Sequence, residues 1–421
     1  MLFMLDVTHR LAHCRIRLTD REGRPIAGAD VTVAQTRHAF GFGNIGFDFI
    51  DWLGGPGDPG EAPKDPTQPD PAALAEDWLG LFDTMTLPFY WRGFEPERGR
   101  PDTARLHRTA EWFADRGVTV KGHPLVWHTL TPDWLLSLDD AEVETAIRAR
   151  IRREVGDFAG VVDLWDAINE VVILPVFTAE DNAVTRLAQR RGRVGMVQLA
   201  FEEARAANPD ARLVLNDFDL SADYEQLIDE CLTAGIQIDA IGLQTHMHQG
   251  YRGEEQVQGV LERFARFGLP LQLTETTLLS GALMPPEIVD LNDYQPDSWP
   301  STPAGEARQA DEIVRHYRTV VSHSAVESLT YWGITDHGAW LGAPSGLIRR
   351  DGTRKPAYDA LRELIRGKWW LPETPMATDA DGVLTIRGFA GRYRISTPTG
   401  SAEVELVAGS GSVTAEVTAS G

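Results

Sequence analysis

The chain has 421 residues, 43% hydrophobic and 24% charged, with 39 Gly and 25 Pro scattered rather than periodic. That composition suits a soluble globular protein with a large core and excludes collagenous and disordered classes. Lys and Arg number 40 against 62 Asp and Glu, and the formal charge of −22 repels phosphate backbones and anionic headgroups, so neither nucleic acid nor a membrane surface is an expected partner.

The opening MLFMLDVTHRLAHCR meets an acidic group after five residues and turns polar, which predicts no signal peptide. No apolar run approaches the roughly 18 residues of a spanning helix. The expectation is a cytoplasmic protein, although a secreted chain that starts after a removed leader would read the same. Two cysteines, Cys14 and Cys231, supply no disulfide framework.

Residues 1–38 read as a β-rich N-terminal segment: Cys14 to Gln35 alternates apolar and polar residues around turn signals at Gly23 and Pro25 to Gly28, the period of half-buried strands. Residues 39–368 then repeat a short apolar run, a loop and an amphipathic helix. The runs are Ala39 to Gly46, Thr84 to Trp91, Val118 to Lys121, Val161 to Ile168, Arg212 to Asn216, Ile238 to Gln244, Leu271 to Glu275 and Ser328 to Ile334. Helical periodicity shows at Leu106, Ala110 and Phe113, at Ile147, Ile151, Val155 and Phe158, and at Val257, Val260, Leu261 and Phe264. Eight strands alternating with helices predict an α/β chain folded as a (β/α)₈ TIM barrel rather than an open sheet. Residues 369–421, with alternation at 383–388, 392–396 and 404–407, read as a C-terminal β-rich appendage.

Two loops are long. Leu53 to Pro71 follows the first strand and Gly281 to Pro303, with Tyr294 and Trp299, follows the seventh. Both are expected on the C-terminal face of the barrel, as a lid or cleft wall. GFGNIG at Gly41 to Gly46 matches a dinucleotide-binding pattern, but FDFIDWLGGPGDPG follows where that motif needs a helix, so the glycines are read instead as points of close backbone approach.

The fourth strand ends in Trp165-Asp166-Ala167-Ile168-Asn169-Glu170 and the seventh in Leu271-Gln272-Leu273-Thr274-Glu275. Barrel closure brings such ends to one face, and glycoside cleavage needs a protonated carboxyl beside an ionised one. Taken singly, each Glu is more commonly a helix cap or ion-pair partner. The neighbouring strand ends add His123, Trp127 and His128, then Asn216 and Asp217, then Gln244, His246 and His248, and lastly Trp332 and Trp340. Amides and imidazoles read sugar hydroxyls while Trp faces cover pyranose rings. His246-x-His248 with His123 and His128 raises a metal site, but no Cys cluster or HExxH accompanies them, so no cofactor or metal is expected. No G-x-S-x-G or P-loop pattern occurs.

The successive blocks EPERGR, KGHPLVWH, WDAINE, LNDFD, IGLQTHMH, LTE, YWGITD and KPAYDAL resemble glycoside hydrolase family 10, the xylanase-type retaining (β/α)₈ glycosidases, over residues 39–368. The resemblance implies that Glu170 is the acid/base and Glu275 the nucleophile, that Asn169 touches the sugar 2-hydroxyl and His246 the nucleophile, and that His123, Trp127, Gln244, Trp332, Trp340 and Trp91 line the cleft. It implies an endo-1,4-β-xylanase-like hydrolase acting on an oligosaccharide or polysaccharide. One departure matters: where xylanases of the family carry a Glu-Asn pair and then a Lys, this chain has Thr86, Leu87 and Tyr90 before Trp91. Sugar contacts are lost there. Alternatives are therefore the same chemistry on another β-glycan or a plant glycoside, in exo mode, or a catalytically weak carbohydrate-binding protein.

Overall fold

The structure is a computed structural model and describes residues 6–55 and 69–419. Eight parallel strands close into a barrel: β3 (Gly41–Ile45), β4 (Thr84–Pro88), β5 (Thr119–His123), β6 (Leu164–Asn169), β7 (Arg212–Asp217), β8 (Ala240–Met247), β9 (Leu271–Leu278) and β10 (Val326–Tyr331), with β10 pairing back onto β3. The (β/α)₈ expectation holds. The predicted second strand, Thr84 to Trp91, is longer than the one observed, because the backbone turns at Tyr90 into a short helix, Trp91–Phe94.

The helices between strands start and pack as their sequences dictate. Asp139 and Glu142 form a capping box on Asp140–Asp157, whose Val143, Ile147, Ile151 and Val155 are buried. Thr302 caps Pro303–Val321, with Pro303 in the first turn. Gly192, at φ 71°, breaks Ala183–Ala207. In the first barrel strand a Cβ on Gly43 would lie 2.7 Å from the Thr330 hydroxyl oxygen, so this glycine allows the β3–β10 closure.

The two chain ends build one further unit. β1 (Leu11–Thr19) lies between β12 (Val383–Phe389) and β15 (Gly409–Glu416), and β2 (Asp30–His38) lies between β11 (Thr374–Ala377) and β13 (Gly391–Thr397), which continues to β14 (Gly400–Leu406) and β16 (Thr418–Ala419). Ile16, Leu18, Val33, Ile386, Tyr393 and Ile395 fill a core distinct from that of the barrel. No helix among the described residues is long and apolar enough to cross a membrane.

Candidate active site

The C-terminal strand ends of β4–β10 converge on Glu170 and Glu275. Two register shifts put the carboxyls there. β6 slips against β7 between Asp166 and Ile168, and β9 gains a residue against β8, so that Leu243 pairs with Leu273 but Gln244 pairs with Glu275. Strand alternation would otherwise send Thr274 and Glu275 to opposite faces, and a bulge of this kind re-aims a side chain. Glu170 itself sits at φ 57°, a left-handed conformation that a non-glycine residue adopts only where its surroundings fix it. Its N–H donates to the Asn216 carbonyl at 2.9 Å.

A chain of amide hydrogen bonds links the two carboxylates. Gln244 Nε2 donates to Glu170 Oε1 (3.3 Å) and to Asn169 Oδ1 (3.0 Å). Asn216 Nδ2 donates to the same Asn169 oxygen (2.8 Å) and to Glu275 Oε1 (3.0 Å), while Asn216 Oδ1 accepts from Thr274 (2.6 Å). With its oxygen doubly occupied, Asn169 keeps its Nδ2 donor without a partner among the described residues.

The environments of the two acids differ. Glu170, its side chain 13% exposed, has its pKa pushed up to about 8, mainly by burial and further by the charges of Glu275 and Asp217, against a lowering hydrogen bond from Trp127. That bond, Trp127 Nε1 to Glu170 Oε2, measures 2.7 Å. His128 Nε2 lies 3.5 Å from the same oxygen, and burial pushes its pKa down to about 4, which keeps the imidazole neutral. Glu275 Oε2 is 3.1 Å from His246 Nε2, and its Oε1 is 3.9 Å from His123 Nε2. His123 Nδ1 is held at 2.7 Å by Asp166, which also pairs with buried Lys121 at 2.7 Å.

Aromatic rings wall this cluster. Trp332 packs edge-on to His123 (5.3 Å between centroids) and Trp340 against His246 (4.6 Å). The 281–303 segment reaches the same wall: Trp299 lies 6.1 Å from His248 and 4.9 Å from Tyr294. Most of the other long loop, residues 56–68, lies outside the described residues.

Of the residues singled out from sequence, Glu170, Glu275, His123, Trp127, Asn169, Gln244, His246, Trp332 and Trp340 therefore come together. Trp91 is committed elsewhere: its indole N–H donates to Glu95 at 2.9 Å, Trp134 packs against it, and the Arg150 guanidinium lies over its ring. Asn216, named from sequence as a strand-end amide, joins the cluster and bonds to Glu275; sequence reasoning missed Asp166, though it stands inside a quoted motif, and Phe47, whose ring meets Trp332 at 5.7 Å and Tyr90 at 5.9 Å. An aromatic residue just beyond the first strand was the signal available. No group of three or more His, Cys, Asp or Glu side chains among the described residues is placed to hold a metal ion.

Residues 88–364 match the profile of glycosyl hydrolase family 10. Among curated relatives, the anti-sigma-I factor RsgI6 of Acetivibrio thermocellus is 24% identical over 92% of this chain and 45% of its own length. Endo-1,4-beta-xylanase C of Paenibacillus barcinonensis is 25% identical over 72% of this chain and 30% of its own. The chain thus spans less than half the length of either relative. Among solved structures, xylanase 10B of Thermotoga petrophila in complex with xylobiose superposes with a TM-score of 0.62 at 22% identity, covering 78% of this chain and 95% of that one.

Proposed function

We propose that this chain, which belongs to glycosyl hydrolase family 10, hydrolyses β-linked glycosides with net retention through a double displacement between Glu170 and Glu275. One observation carries the reading. Two largely buried carboxyls share one cleft, and the one whose pKa rises to about 8 stays protonated at neutral pH while the other accepts from an amide and faces two imidazoles. Such a division gives one acid and one carboxylate from the same residue type.

In the first step Glu275 attacks the anomeric carbon as Glu170 gives its proton to the departing glycosidic oxygen. The C–O bond breaks, and an ester joins the sugar to Glu275. Esterification removes the negative charge that helped hold the proton on Glu170, so Glu170 stays ionised and acts as the base that takes a proton from water as the water oxygen attacks the anomeric carbon and displaces Glu275. Asn169 Nδ2 is available to a sugar hydroxyl, and Trp332 and Trp340 offer faces for the rings.

A β-1,4-xylan-like polysaccharide is the substrate class with most support, from the xylanase names and the xylobiose complex of the relatives. A second reading, another β-glycan or an aryl-type glycoside, is favoured by one feature: Thr86 and Leu87 are buried in the wall, 2% and 0% exposed, and present no charge to a sugar. A 2-deoxy-2-fluoro aryl β-glycoside tests the mechanism, because it should trap an ester on Glu275 detectable by mass. No adduct, with hydrolysis surviving Glu275→Ala, would sink it. Product lengths from xylan and mixed-linkage glucan decide the substrate and the mode of attack.

A further inference from the structure

Tyr90 stands where its ring touches the supports of both carboxyls. It lies 5.5 Å from Trp127, whose indole N–H holds Glu170, and 5.9 Å from His123, which faces Glu275. Phe47 packs edge-on to it at 5.9 Å and continues to Trp332 at 5.7 Å. Three aromatic neighbours thus hold the ring, and the hydroxyl makes no hydrogen bond among the described residues. Tyr90 is only half-buried, so an unpartnered hydroxyl here is open to a ligand rather than sealed in the core. The phenol stays a neutral donor, since burial and the charges of Glu275, Glu170 and Asp166 hold its pKa well above the usual tyrosine value.

Resting on the proposed double displacement, we propose that Tyr90 is the glycone-recognising residue of this protein: its hydroxyl donates to an oxygen of the sugar seated against Glu275, while its ring and Phe47 present an apolar wall to that sugar. The geometry calls for a single neutral donor at a rigid position, which suits one uncharged sugar ring held by one strong contact. A mobile cation would instead reach several hydroxyls. A donor that fits one hydroxyl discriminates, because a substrate lacking that hydroxyl covers the phenol without giving it a partner.

Tyr90→Phe keeps the ring and removes the donor. We expect kcat/KM for aryl β-xylosides or β-glucosides to fall about tenfold, the worth of one such hydrogen bond, with the unfolding midpoint unchanged. Monodeoxy aryl glycosides complete a double cycle: one of them should be about tenfold poorer for the wild-type protein and no poorer than its parent for Tyr90→Phe. The proposal is overturned if Tyr90→Phe matches the wild-type protein within twofold, or if every deoxy substrate loses as much in both. Wild-type protein that hydrolyses no β-glycoside would count against the displacement mechanism instead. Tyr90 is then judged by Trp fluorescence titration with aryl 1-thio-β-xyloside, where about tenfold weaker binding by Tyr90→Phe supports the assignment and equal affinity overturns it.

Discussion

Thr274 and Glu275 are adjacent in the chain, yet both side chains meet the Asn216 amide, Thr274 donating to its oxygen at 2.6 Å and Glu275 accepting from its nitrogen at 3.0 Å. The extra residue in β9 makes this possible. It also makes the amide a fixed element, since its remaining N–H is held by Asn169. Replacing Asn216 by Ala frees one carboxylate oxygen and strands the Thr274 hydroxyl, both enclosed. A hydrogen bond to a charged group contributes about 1.5–3 kcal/mol, so kcat/KM for an aryl β-glycoside should fall about 10- to 100-fold, with stability reduced by about 1–3 kcal/mol. Steady-state kinetics and urea unfolding check the two effects.

The pKa of about 8 at Glu170 fixes the sign of two pH dependences. As a proton donor it is competent below that value, so the rate of glycoside cleavage should fall as pH rises through about 8. Stability runs in the same direction. Between its ordinary value of 4.5 and about 8, the unfolded chain releases this proton and the folded chain keeps it, so folding stability declines as pH rises across that window. Glu170→Gln should lose activity on poor leaving groups, unfold at a higher temperature than the wild-type protein at pH 7, and show a shallower decline of stability with pH. Thermal unfolding from pH 4 to 8 measures this; an unchanged slope would contradict the assigned protonation.

Much of this was legible because barrel strands announce themselves locally. A run such as Arg212 to Asn216 has its own period and punctuation, and the motifs at the strand ends fall on one face once the sheet closes. The register shifts in β6 and β9 were not legible, since a bulge depends on the partner strand and not on local pattern. For the same reason the alternation at Cys14 to Gln35 and at 383–407 identified strands without revealing that they pair with each other: β1 aligns Cys14 with Ile386 across a gap of most of the chain. Trp91 carried the resemblance by position, and its commitment to Glu95 and Trp134 appears only when the loops are folded.

Lys355 is fully buried and donates to Asp336 Oδ1 at 2.7 Å and to Ser280 Oγ and the Gly346 carbonyl at 2.8 Å each. These bonds join the loop after β9 to both arms of the loop that carries Trp340. Lys355→Met should remove about 3–5 kcal/mol of stability, because Asp336 is left as an uncompensated enclosed charge. A second substitution, Asp336→Leu, should recover a large part of that loss, since apolar replacement of a buried pair is often neutral. Chemical denaturation of the single and double variants decides it. Additive losses would mean that the pair is not the unit of stabilisation.

The paired chain ends make a prediction about truncation. β1 is flanked on both sides, antiparallel by β12 from Leu11 opposite Phe389 to Arg17 opposite Val383, and parallel by β15 from Ala12 opposite Gly409 to Thr19 opposite Glu416. Removing residues 372–421 strips every partner from β1 and β2 and exposes Ile16, Leu18 and Val33, which are now fully buried. Two unpaired strands with bare apolar faces are templates for intermolecular pairing, so the shortened chain should aggregate even though the barrel is intact. Removing residues 6–38 as well should restore a soluble barrel, because no barrel strand pairs with β1 or β2. Light scattering of the two truncations discriminates them: a soluble, monodisperse 1–371 chain would show that the ends do not depend on each other.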